Sequence, residues 1–154
     1  MTPLVKVRAE YRYSGRPHGE RFWALPLGDD LYELRNVPWY AYRLNFGDVV
    51  RAVADDPERV PRIVEAVSRS GHRTIRIFFA AEVQRREQEE ILAELDGLHA
   101  THERAGGRLL ALDVEPEADY GAVVEHLRRL EAEDVLTFEE SWPGDGPGFD
   151  EPAA

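Results

Sequence analysis

Cysteine is absent from the 154 residues. Disulfides and thiolate-bound zinc are therefore excluded, and the chain suits a reducing, cytoplasmic setting. Long apolar runs are missing too. No stretch approaches the roughly 20 residues of a membrane span. Met1-Thr2-Pro3-Leu4-Val5-Lys6 lacks the apolar segment of a signal peptide. Lysine is almost missing: Lys6 is the single one among 19 basic residues. We read the arginine excess as the codon bias of a GC-rich genome and not as a binding signal. Positive charge is in deficit overall, with 30 acidic residues and a net charge of −11. That balance opposes attraction to nucleic acid or anionic membranes and favours a basic partner.

What is present is enough to fold unaided. Apolar residues make up 43% of the chain, and a chain of this length buries roughly 70% of its extended surface. Leu4 to Tyr13 alternates, with Val5, Val7, Ala9, Tyr11 and Tyr13 on one side. Glu20 to Leu27 and Leu31 to Leu34 flank Gly28-Asp29-Asp30, a hairpin loop. Asn36-Val37-Pro38 and Phe46-Gly47-Asp48 turn the chain again. Short strands at this spacing predict a small, barrel-like, β-rich half over residues 1–56.

Residues 60–69 are ambiguous. Val60, Ile63, Val64 and Val67 fit a helical stripe after Asp56-Pro57, yet β-branched residues equally suit a strand. We take the strand, with a hairpin through Ser70-Gly71-His72. Thr74 to Phe79 then reads as a strand and Glu82 to Asp96 as a helix ended by Gly97. Leu98 to Glu103 and Arg108 to Val114 form a hairpin. Asp119 caps a second helix, and Val135 to Trp142 is a last strand. This order predicts a ferredoxin-like split βαβ half over residues 57–142, so the fold class is α+β. Residues 143–154, rich in Pro, Gly and acid, are expected to be a disordered tail.

Three segments resemble a bacterial family known only as domain of unknown function 4265. They are Tyr32-Glu33-Leu34-Arg35-Asn36-Val37-Pro38-Trp39-Tyr40-Ala41, Phe46-Gly47-Asp48-Val49-Val50 and Ser70-Gly71-His72-Arg73-Thr74-Ile75-Arg76. Leu110-Ala111-Leu112-Asp113-Val114 also fits, so the resemblance covers most of residues 20–141. It implies a shared fold and no particular chemistry. Trp39 departs from it, since phenylalanine is expected there.

Candidate chemistry is sparse. Ser70, His72 and Asp48 are the residue types of a nucleophilic triad, but the G-x-S-x-G elbow is missing and Ser-Gly is ordinary turn chemistry. His72 is expected to bond to backbone near the junction of the halves. His99 and His102 are metal-binding types, but an odd spacing on a strand puts them on opposite faces. His18 and His126 read as solvent-facing. No cofactor is implied. Alternation places Thr74, Arg76 and Phe78 on the sheet face away from the helices, with Asp113 and Glu139. The structural reading there is an ion-pair network of Arg76 with both acids, and the functional one is an anion or ligand site. That strand face carries too few aromatics for an RNA-binding sheet. The four arginines between Arg62 and Arg76 read as a solvated face.

Trp39, Tyr40 and Tyr42 form an aromatic cluster that becomes a partner contact wherever it is exposed. These observations favour a non-catalytic, immunity- or inhibitor-like module binding a basic protein. The alternative is a small-ligand or enzymatic site at the junction. The ligand- or partner-contacting residues are then Asn36, Trp39, Tyr40, Asp48, His72 and Arg76. A homodimer through the open sheet face is a further alternative.

Overall fold

The computed structural model describes residues 2–141 and 148–152. Five strands close a barrel: β1 (Val5–Tyr13), β2 (Arg16–Gly28), β3 (Leu31–Leu34), β4 (Val49–Val53) and β5 (Arg62–Ser68). β1 and β2 join through Ser14-Gly15, both at positive φ (52° and 74°), the two-residue turn whose twist matches a hairpin. Period-two alternation sends Val7, Ala9 and Tyr11 of β1 and Phe22 and Ala24 of β2 into the core. Leu34, Leu44, Val50, Ala52 and Ile63 complete it. Register shifts in β4–β5 bend that pair, and β5 meets β1 in parallel at Arg8↔Arg62.

The ambiguous segment is thus a strand, and it belongs to the barrel. A boundary at residues 56–57 would assign β5 to the second unit; the change of unit falls instead between β5 and β6. The reason is pairing: β5 hydrogen-bonds to β4 along its length and touches β1 at its start.

The second unit contains β6 (Arg73–Phe79), α1 (Arg85–Gly97), β7 (Ala100–Gly106), β8 (Leu109–Val114), α2 (Tyr120–Ala132) and β9 (Leu136–Ser141). Its four-stranded antiparallel sheet has the order β7-β8-β6-β9. Asp119 caps α2 by accepting from the Ala122 amide at 3.1 Å. Ile75, Ile77, Leu110, Leu112 and Leu136 pack with Leu92, Leu95, Val123 and Leu127 in one core, with Phe138 at its margin. Both helices therefore cover one sheet face. Neither of the described helices is long and apolar enough to cross a membrane.

The other sheet face meets the barrel. Thr74 and Arg76 are buried beneath the loop that joins β3 to β4, while Phe78 stays 42% exposed where that cover ends. The tail expected to be disordered is only partly within the described residues. Gly148 to Pro152 is placed against the barrel, and the rest, with the Trp142 end of the last strand, lies outside the described residues. Phe149 is buried in the barrel core. Its carbonyl accepts from the Tyr42 amide at 3.1 Å. The Arg12 amide donates to Asp150 at 2.7 Å, and the Arg12 carbonyl accepts from the Glu151 amide at 3.1 Å. One aromatic side chain and an unpaired length of β1 outweigh the polar composition of the segment.

Candidate functional site

The turn into β4 is a clamp. Gly47 sits at φ 81°, and a Cβ there would lie 3.0 Å from Ser70 Cβ, so only glycine fits. Asp48 is wholly buried. One carboxylate oxygen accepts from the Asn45 amide and Arg69, each at 3.0 Å, and the other from the Ser70 amide at 2.9 Å. The Ser70 hydroxyl donates to the Phe46 carbonyl at 2.6 Å and accepts from the His72 amide at 3.1 Å. The His72 ring turns instead to Asp113, with Nδ1 at 2.7 Å. The three triad residue types are neighbours, yet serine's proton goes to a carbonyl and the imidazole serves a different carboxylate. Burial raises the Asp113 carboxyl above its ordinary value, against the downward pull of His72.

Arg76 holds the junction. It is 3% exposed. Its Nε donates to Glu139 at 2.9 Å, and Nη1 to the carbonyls of Pro38 and Ala41 at 3.2 and 3.3 Å. The guanidinium lies 4.6 Å from the Tyr42 ring centre, and the Tyr42 hydroxyl donates to Glu139 at 2.7 Å. Burial first, then Glu139, pushes the Tyr42 hydroxyl well up. The expected pairing with Glu139 forms, whereas Asp113 is taken by His72 and not by Arg76. The other arginines of that run are engaged too: Arg62 with Asp55, and Arg73 over the Tyr120 ring.

Glu20 is the residue that sequence reasoning missed. It points inward from β2 and is nearly buried. Its carboxylate accepts from three successive amides, Trp39 at 2.6 Å, Tyr40 at 3.0 Å and Ala41 at 2.9 Å. Consecutive amides cupping an anion form a nest. Burial raises the Glu20 carboxyl, while those amides and Arg76 pull it down. The available signal was an acid in register with inward Phe22 and Ala24. Asn36 is a strut of the same kind, accepting from the Trp23 amide at 2.6 Å.

By fixing residues 39–41, Glu20 builds one wall of a cleft. A cavity of about 650 Å³ is lined by Tyr11, Tyr13, His18, Gly19, Glu20, Arg21, Trp39 and Tyr40. The rings form a ladder: Tyr11 stacks on His18 at 5.7 Å, and Tyr13 meets His18 and Tyr40 edge-on at 6.3 and 6.4 Å. Tyr13 and Tyr40 are 38% and 43% exposed. Burial and Glu20 push the Tyr11 hydroxyl up to about 12. A second cavity of about 420 Å³ shares Tyr13 and is lined by Arg76, Phe78, Leu109, Thr137 and Glu139.

Of the six candidate residues, Trp39 and Tyr40 wall the cleft and Arg76 lines the adjoining cavity. Asn36, Asp48 and His72 are internal struts. His72 bonds through its ring to Asp113 and not to backbone. His18 is exposed as expected, though its ring stacks on Tyr11 and meets Tyr13 edge-on. His126 is half-buried, 3.1 Å from Glu94, because α2 turns it toward α1. His99 lies 3.6 Å from Glu115, apart from His102 on β7. Among the described residues no cluster of three or more histidines and acids is arranged to hold a metal.

A family model described as "Domain of unknown function (DUF4265)" matches residues 20–138. Among solved structures, one titled "Novel crystal structure of a hypothetical protein from Neisseria gonorrhoeae" aligns with a TM-score of 0.79. The alignment covers 95% of this chain and 98% of that one at 18% identity, so the likeness is one of fold. No curated protein matches the chain.

Proposed function

Because the chain belongs to the DUF4265 family, whose description names no activity, we propose a function from geometry alone: a non-catalytic, cytoplasmic binding module that holds a basic protein in the tyrosine-walled cleft. The carrying observation is the exposed pair Tyr13 and Tyr40, in edge-on contact in the wall of that cavity. Ring faces attract cations, and tyrosine is a favoured interface anchor.

Charge supports the same reading. Residues 73–141 carry 17 acidic residues against eight arginines, whereas residues 1–72 carry ten against eleven basic ones. The negative charge is thus concentrated in the second unit and not in the unit that carries the cleft; it attracts a basic partner to the molecule at long range, and the rings supply the local contact. We also read that unit as a ferredoxin-like split βαβ, on its strand order β7-β8-β6-β9.

The test is a paired pull-down with the wild-type chain and Tyr40→Ala. The expected catch is a basic protein, released by moderate salt and retained about tenfold less by the variant. Acidic proteins alone, or equal capture by both chains, overturns the reading. A second reading, a small-ligand site at the junction of the two units, is favoured by one observation. Arg76 keeps a buried nitrogen without a partner among the described residues, beside a cavity. A homodimer through the bare end of the sheet face is a third; sedimentation at several concentrations separates it from both.

A further inference from the structure

Among the described residues of the second unit, Phe78 is the only large apolar side chain left exposed. It lies at the end of the sheet that the barrel does not cover. Strand order puts β8 on one side of it and β9 on the other. On the β8 side the Arg108 guanidinium lies 4.7 Å from the Phe78 ring centre. On the β9 side a cavity of about 210 Å³ is lined by Phe78 with Ala80, Leu136, Thr137, Glu131 and Asp134. Glu133 stands in the same turn as Asp134. None of Arg108, Glu131 and Asp134 has an ion-pair partner among the described residues. Arg76 and Glu139, on the barrel side of Phe78, face each other at 2.9 Å and cancel. A base on one flank of an exposed ring and acids on the other make a self-complementary pattern.

Resting on the homodimer reading above, we propose that this end of the sheet is an interface for a second copy of the chain. The two copies meet end to end about a two-fold axis perpendicular to the sheet, just beyond Phe78. Such an axis exchanges the two flanks. Arg108 of each copy then faces Glu131 and Asp134 of the other, and the two Phe78 rings pack beside Ala80 and Leu136 across the axis. Both barrels lie at the far ends of their sheets, so they do not collide. Each chain carries a net charge of −11, but at roughly 0.15 M salt that repulsion is screened beyond about 8 Å. The contact is small, which makes the dimer a weak one that forms only as concentration rises.

Sedimentation equilibrium at roughly 0.15 M salt tests the arrangement. The wild-type chain is expected to dimerise with rising concentration. Arg108→Glu sets like charges against each other at both contacts, and so does Glu131→Arg. Each alone is expected to weaken dimerisation by about tenfold or more. An equal mixture of the two variants restores it, because the mixed pair has opposite charges at both contacts. That recovery also shows that both variants are folded. Phe78→Ser weakens association as well, while Trp23→Ala, which removes an exposed ring on the barrel, leaves it unchanged. If the chain stays monomeric at every concentration, the arrangement and the homodimer reading both fall. If Phe78→Ser disperses the dimer but the charge variants have no effect, or their mixture recovers nothing, the two-fold arrangement falls and the sheet-end reading stands. A dimer indifferent to Phe78→Ser, or dispersed by Trp23→Ala, overturns the location. Growth beyond a dimer overturns the two-fold axis.

Discussion

Three buried or half-buried carboxyls, Glu20, Glu103 and Asp113, have their protonated forms favoured by desolvation. The consequence for stability has a definite sign. A carboxyl whose folded value lies above its unfolded one binds more protons when folded. Its contribution is therefore largest at mildly acidic pH and is lost as pH rises from the ordinary carboxylate range through the raised value. Replacing Glu20 with Gln removes its share. Urea unfolding at pH 5 and 7.5 should show a smaller loss of stability on going to the higher pH in Glu20→Gln than in wild type; an equal or larger loss would contradict the direction assigned to Glu20. Tyr11 behaves likewise at the alkaline end, where its support fades between its unfolded value of 10 and about 12. Arg76 with Glu139 was legible because strand alternation places both on one sheet face. Glu20 was not, because three amides from a loop some twenty positions away neutralise what alternation reads as an error. The partner of Asp113 was hidden for a similar reason: His72 sits before β6, where no periodicity fixes direction.

Elements rather than single side chains decide how the cleft is held. The β3–β4 loop is fastened at one end by the Glu20 nest and at the other by Asp48, which accepts from the Asn45 amide of that loop and, across from it, from Arg69 and the Ser70 amide beyond β5. Asp48→Ala leaves the buried Asn45 amide and the half-buried Ser70 amide without that partner. It should cost about 3 kcal/mol, measured by urea denaturation, with Asp48→Asn recovering part. The strands and both helices of the second unit were legible because their apolar residues keep one period over several turns or repeats. β5 was assigned to the right type but the wrong unit. Its alternation says strand, and nothing local says which neighbour it pairs with. Here it pairs with β4 and reaches β1, and that non-local contact is what closes the barrel.

Across the whole molecule the two units are tied by polar contacts and not by a shared apolar core. Arg76 to the β3–β4 loop, Tyr42 to Glu139 and Thr74 to Asn45 all cross the junction. The barrel relies as well on Phe149, which fills its core from the far end of the described chain. Phe149→Ala should destabilise the protein by about 3 kcal/mol and expose the β1 edge at Arg12, read as faster amide exchange at Arg12 and Tyr42. Unchanged exchange there would mean that the seal is made by the backbone bonds alone. Composition could not reveal this, since one phenylalanine among Pro, Gly and acids carries no period.

That seal sets an order of events during synthesis. A ribosome releases β1 to β5 first, then the entire helix-and-sheet unit, and only afterwards Phe149. The barrel must wait for a residue made after the whole second unit before it is shut. Until then its interior is open at Tyr42 and Arg12, and a nascent chain stalled before Phe149 would present an unfinished barrel joined to a finished sheet.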